Sequence, residues 1–369
     1  MKQKITLFLL IFIGFGNLFS QSIGAIVADK DSRQPIADVF VFFDNSSTGD
    51  ITDLQGKFTL NRSDYQNVTL VFSHLNYELL SVADKKNFPD TIFLTSRNVL
   101  LEEAVVVEKK VKKRIRSRWL KRFRTEFLGE DYDNDLVKLL NPEVLLFQSN
   151  KGVLTVKTHE PLLIENRFLG YMVSFYLEDY KSYQDGDLLY HGKVFFKELE
   201  GTKKERARYN RNRSKIYEKS SRKFFADLVQ QKLDGQNYEI GFAVFNPKGE
   251  IVNYEQMPVD SISIKEIHKG AFEISINRIL TVTNNQTKIQ QAGRKQRGVL
   301  GNSIGNFKQT QNNIPRSYLW SKEGRIVVNK FGAILNSSEV EESGYWASLR
   351  VATLLPFDKL IKPKKERRL

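Results

Sequence analysis

The chain contains no cysteine. It therefore has no disulfide, no thiolate metal ligand and no cysteine nucleophile, and no cysteine to carry a lipid at an export cleavage point. Histidine is scarce, at four residues. None of the four builds a zinc pair. His159-Glu160 would need a second His at 163, where Leu163 stands. An H-x-x-E pair fails too, because His74, His159, His191 and His268 are followed three residues later by Tyr77, Leu162, Val194 and Ala271. There is no Walker-type glycine loop. Beyond the N-terminus no apolar run approaches the ~18 residues of a membrane-spanning helix.

Three apparent motifs lack the parts their chemistry needs. Gly301-Asn302-Ser303-Ile304-Gly305 matches G-x-S-x-G, but its flanks are polar and all four histidines precede Ser303. A nucleophile elbow needs a strand before it, a helix after it and a later His. Asp131-Tyr132-Asp133-Asn134-Asp135 begins like a calcium loop. Leu136 and Pro142 then occupy the places of its Gly and bidentate Glu, so an acidic helix start is the better account. Glu102-Glu103 and Glu341-Glu342 are sequence neighbours, and neighbours on a strand point to opposite faces. No catalytic residue, cofactor site or metal site is assigned.

What is present begins with an export signal. Lys2 and Lys4 precede an apolar Ile5–Phe15 stretch, and Asn17-Leu18-Phe19-Ser20 leads to cleavage after Ser20. The 369 residues exceed what one hydrophobic core usually organises, so two domains are expected. Phenylalanine (26) and tyrosine (14) are abundant, and short alternating runs recur, which favours β structure. From Ile23 to Val107, seven or eight short strands follow at 8–12-residue spacing: Ile23–Ala28, Val39–Phe43, a pair flanking Asp53–Gly56, Val68–Phe72, Leu75–Val82, Thr91–Leu94 and Ala104–Val107. That spacing predicts an antiparallel Greek-key β-sandwich over residues 21–107. Asp53 and Gly56 read as a hairpin turn, the Asp bonding its own backbone and the Gly supplying positive φ.

The order Gly24…Asp29, Gln34-Pro35-Ile36-Ala37-Asp38-Val39, Thr48-Gly49-Asp50-Ile51-Thr52-Asp53-Leu54-Gln55-Gly56-Lys57-Phe58 and Leu70-Val71-Phe72-Ser73-His74-Leu75-Asn76-Tyr77-Glu78 resembles the carboxypeptidase-regulatory-like domain of exported Bacteroidetes-type proteins. The resemblance covers about a quarter of the chain. It implies a transthyretin-like sandwich, found at the N-terminus of outer-membrane receptors and of other envelope proteins, and accessory to catalysis where it accompanies enzymes. The chain departs from the common pattern at Asp50 and at Gln55, and the second departure argues against a calcium-binding turn.

Residues 108–125 form a basic connector. Between Lys109 and Arg124 there are ten Lys or Arg and no acid. Val111, Ile115, Trp119, Phe123 and Phe127 recur every fourth residue, which predicts a helix with a broad apolar stripe, although Lys112 and Arg116 fall inside that stripe. Two readings stay open: the stripe docks on the second domain while the charges remain solvated, or the helix lies on an anionic membrane or partner. Residues 126–362 are expected to be a larger β-rich α+β domain, with a helix from about Ser214 to Leu233. Gly293–Asn313 is polar, and 363–369 is a basic tail. Leu140–Leu145, Pro161–Asn166, Leu169–Tyr171 and Gly344–Pro356 resemble the downstream region of uncharacterised Bacteroidetes proteins that carry the same N-terminal module.

The formal net charge is +14, and the excess is clustered. Lys112, Lys113, Arg114, Arg116, Arg118, Lys121, Arg122 and Arg124 in the connector are the candidate contacts for an anionic partner. Lys203, Lys204, Arg206, Arg208, Arg211 and Arg213 in a second basic run join them. Asp90-Thr91-Ile92 and Asp260-Ser261-Ile262 match a short O-glycosylation pattern. The expectation is an exported, non-catalytic cell-envelope protein of the periplasm or outer membrane, binding a protein, a glycan or an anionic membrane surface, and not nucleic acid. The alternative is an envelope-polymer hydrolase using second-domain carboxylates.

Overall fold

The computed structural model describes residues 22–61, 68–83, 88–97, 112–129, 135–184, 186–247, 251–268, 270–285, 316–337 and 339–359. The export segment, the strand expected at Ala104–Val107, the acidic stretch 131–134, the region Gly293–Asn313 with Ser303, and the basic tail lie outside these residues.

The first body has seven strands: β1 (Ser22–Asp29), β2 (Phe40–Phe43), β3 (Gly49–Ile51), β4 (Lys57–Asn61), β5 (Leu70–Ser73), β6 (Leu80–Val82) and β7 (Thr91–Leu94). One sheet runs β4-β1-β7 and the other β3-β2-β5-β6. The expected sandwich forms, with one departure from antiparallel order: β1 and β7 run parallel, Ile26 opposite Thr91. The chain crosses over from β6 in the other sheet before entering β7, and only such a crossover can bring a parallel strand in. Period-2 alternation builds the core. Val41 and Phe43 face inward with Ile23, Val27, Phe58, Leu70 and Phe72, while Phe40 and Phe42 face the other way.

The second body is a six-stranded antiparallel sheet: β8 (Val137–Leu139), β9 (Leu146–Asn150), β10 (Val153–Lys157), β11 (Leu162–Asn166), β12 (Tyr171–Ser182) and β13 (Leu188–Glu198). β13 flanks β12 along its length, and β11 and then β10 flank its other side. A bulge between Leu177 and Asp179 shifts the register. Buried positions change there from odd numbers (Tyr171, Val173, Phe175) to even (Tyr180, Ser182), so all of them stay on one face. Helix α1 (Lys113–Leu128) covers that face.

Two helices follow, α2 (Lys203–Tyr217) and α3 (Ser221–Val229). This corrects the single helix expected from Ser214. The basic run is itself helical, and Ser220 starts a new helix by accepting the Lys223 amide. The third body pairs a five-stranded and a three-stranded sheet. Its strands are β14 (Tyr238–Phe245), β15 (Ile251–Met257), β16 (Ile264–His268), β17 (Ala271–Ser275), β18 (Leu280–Asn284), β19 (Arg316–Ser321), β20 (Arg325–Asn329) and β21 (Val340–Gly344), followed by the short α4 (Tyr345–Ser348). Phe224 and Phe225 of α3 and Trp346 of α4 fill the space between them. The described part of residues 126–362 thus holds two large hydrophobic clusters and a small one around Ala243, Ile279 and Tyr318. The last described segment ties the bodies together: Val351, Ala352 and Leu355 enter the core under α1, and Phe357 enters the sandwich core.

Candidate functional site

The six-stranded sheet separates two surfaces. On one side, Phe127 of α1 packs against Phe175 and Tyr190, and Phe123 against Phe147 and Tyr180. On the other, the adjacent positions face the sandwich: Phe42 stacks on Tyr176 with ring centroids 5.1 Å apart, and Phe40 meets Phe195 edge-on at 4.7 Å. Backbone contacts seal this join, with Asn45 N–H donating to Val194 O and Phe196 N–H to Ser46 O. Asp358 accepts from the Ser47 amide and hydroxyl at 2.8–3.0 Å. The molecule is therefore layered: α1, the six-stranded sheet, β3-β2-β5-β6, then β4-β1-β7.

At 100° per residue, Lys113, Arg124, Ser117, Lys121, Arg114 and Arg118 fall within about 140° of α1, and all six are exposed. No acid lies among them. Lys112, also exposed, stands at the N-cap. Arg116 and Arg122 lie off this arc. Arg116 donates to the carbonyls of Pro142, Glu143 and Leu145, and Arg122 binds Glu126 at 3.0 Å, Ser182 Oγ and the Tyr183 carbonyl. Guanidinium groups carry the five donors that such buried joints require. This explains the basic residue inside the apolar stripe. The same division holds on α2. Lys203, Lys204, Arg206, Arg208 and Arg211 are exposed, as is Lys215, while Arg213 turns inward. Arg213 lies 3.9 Å from the Tyr171 ring centroid, bonds Glu198 at 2.8 Å, and donates to the Leu169 and Gly170 carbonyls. Because Tyr171 lies on the α1 side of β12, α2 closes one end of the face that α1 covers. The helical phase that separates outward from inward basic residues could have been read from the sequence; the partners of the inward ones could not.

At the Asp53 turn, the carboxylate accepts from the Gln55 and Lys57 amides at 2.9 and 2.8 Å. Gly56 has φ +69°, and a Cβ there would sit 2.4 Å from the Val27 carbonyl. No group of three His, Asp or Glu suited to a metal occurs among the described residues, and no described helix is long and apolar enough to cross a membrane. Thr91 is half-buried at the start of β7, and Ser261 is exposed after β15.

An open groove of about 550 Å³ runs along the join, lined by Phe40, Ile51, Phe195, Lys197, Asp50, Glu198 and Lys359 among others. Its two carboxylates are committed: Asp50 accepts the Ile51 and Thr59 amides, and Glu198 is ion-paired with Arg213.

A CarboxypepD_reg-like domain family model matches residues 24–107, the span whose strands build the sandwich. Residues 24–107 are a CarboxypepD_reg-like domain. No curated protein and no solved structure matches the chain. Both cationic helices lie outside the CarboxypepD_reg-like domain, across the six-stranded sheet.

Proposed function

We propose that this is an exported, non-catalytic cell-envelope protein that binds or scaffolds, and that the outward faces of α1 and α2 hold its anionic partner. The observation that carries the reading is the acid-free exposed arc of α1. Cations that serve the fold are turned inward and bonded, whereas Lys113, Arg114, Arg118, Lys121 and Arg124 form no ion pair among the described residues. Solvated charge of one sign is held apart at an electrostatic cost, and a partner of opposite sign relieves it. Each Lys or Arg brought to an anionic surface contributes about 1 kcal/mol at physiological salt. The hydrolase alternative is less favoured, since a general acid needs a carboxyl free to hold and release a proton, and the one second-domain carboxylate lining the groove, Glu198, is ion-paired with Arg213.

The test is titration of the full chain with labelled polyglutamate. Affinity should fall steeply with salt and be lost near 1 M, where the screening length is about 3 Å. Exchanging the five α1 cations for Gln should weaken binding far more than exchanging Lys30, Lys57, Lys157, Lys265 and Lys322. Salt-independent binding, or equal loss in the two variants, would refute the reading.

A further inference from the structure

We infer that the anionic partner is a glycerophospholipid leaflet, met side-on by α1 and α2, with the CarboxypepD_reg-like sandwich held on the far side of the molecule. This rests on the proposed role of the cationic helices and adds the partner and the orientation.

Three observations carry it. The first is the chemistry of the arc. It displays Lys, Arg and Ser117, and no exposed aromatic or aliphatic side chain. A specific protein interface concentrates its binding in a few buried anchors, chiefly Trp, Tyr and Arg; this arc has arginines but no aromatic residue to bury beside them. A leaflet of phosphates asks only for spaced cations. The second is that the apolar side of α1 is already spent. Phe123 and Phe127 are fully buried against β9, β12 and β13, so the helix cannot insert into acyl chains and must dock through its charges alone. The third is placement. Along β12, Phe175 touches α1 while the next residue, Tyr176, stacks on Phe42 of the sandwich. Along β13, Val194 and Phe196 join the α1 core while Phe195 meets Phe40. The alternation of one sheet therefore sends the α1 cations and the sandwich in opposite directions. A chain resting on its cationic face presents β4-β1-β7 and the groove beside Phe195 away from the lipid.

The absence of cysteine makes the orientation directly measurable, because one introduced thiol is the only site of labelling. Ser117→Cys places a fluorophore within the α1 arc. Thr59→Cys places one on the outward side of β4, whose neighbours Phe58 and Leu60 face the core. Each labelled full-length protein is mixed with phosphatidylglycerol–phosphatidylcholine vesicles carrying a headgroup quencher, and with phosphatidylcholine vesicles alone. The expected result is quenching at 117 and little at 59, only with the anionic vesicles, and reversed by salt. Affinity for the anionic vesicles should exceed that for neutral ones at least about tenfold. Equal quenching at both sites, or stronger quenching at 59, overturns the orientation. Binding to polyglutamate without binding to the vesicles overturns the lipid partner and leaves the proposed function standing. Failure to bind either overturns both.

Discussion

At the join between the sandwich and the six-stranded sheet, Asp44 is a carboxylate held at a cost. Burial pushes its carboxyl above the ordinary range, against the pull of Lys193 Nζ at 3.7 Å and the Val194 amide at 2.8 Å. A carboxyl raised in the folded state keeps its proton at a pH where the unfolded chain has lost it. Its contribution to stability is therefore greatest below the ordinary carboxylate range and declines as pH rises through the folded value. Asp44→Asn keeps an oxygen for the Val194 amide and removes the ionisation. Relative to that variant, the wild-type protein should lose stability as pH rises above about 4, the ordinary carboxylate value, measured as urea midpoints across the range. The opposite slope would mean that the attraction of Lys193 outweighs desolvation.

The two cationic helices are stabilised differently. Lys112, Lys113 and Arg114 put positive charge at the positive end of the α1 dipole, and its N-cap offers no side-chain bond. Helix α1 persists because Phe123 and Phe127 are docked, contacts that no isolated segment of this sequence could make. Helix α2 carries its own start signal. Thr202 Oγ1 accepts the Glu205 amide, and Glu205 accepts the Thr202 amide at 2.8 Å, which also holds the Glu205 carboxyl below its ordinary value. Phe123→Ala should therefore cost about 3–5 kcal/mol, and Thr202→Ala only about 1 kcal/mol. Denaturant unfolding of both variants checks the contrast.

Side chains cross between the layers. Arg222 of α3 donates to the carbonyls of Phe331, Pro356 and Phe357. Phe357 fills the sandwich core, and Asp358 holds Ser47. The protein should therefore unfold in a single calorimetric transition, despite a length at which independent domains are common. Asp358→Ala removes charge-assisted bonds worth about 1.5–3 kcal/mol each and should lower the midpoint or split the transition. Two transitions in the wild-type chain would show that the join is weak.

The strands of the sandwich, the Asp53–Gly56 turn, the helical period of α1 and the clustering of charge are legible in the sequence, because alternation, turn chemistry and helical phase are local properties. Local pattern does not reveal β8, which is three residues long, nor β19 and β21. Arg316–Ser321 is buried on both faces and so shows no alternation, and Val340–Gly344 is too polar to stand out. The parallel pairing of β1 with β7 was also hidden, since pairing joins residues far apart in the chain. Only the tertiary structure supplied the partners of the inward basic residues. Arg116, Arg122 and Arg213 differ from their exposed neighbours in helical phase, which is local, and in the carbonyls and carboxylates that packing brings within reach, most of which are distant in sequence. It also decided that the α1 cations and the sandwich face opposite ways, because that depends on which side of one sheet each element packs against.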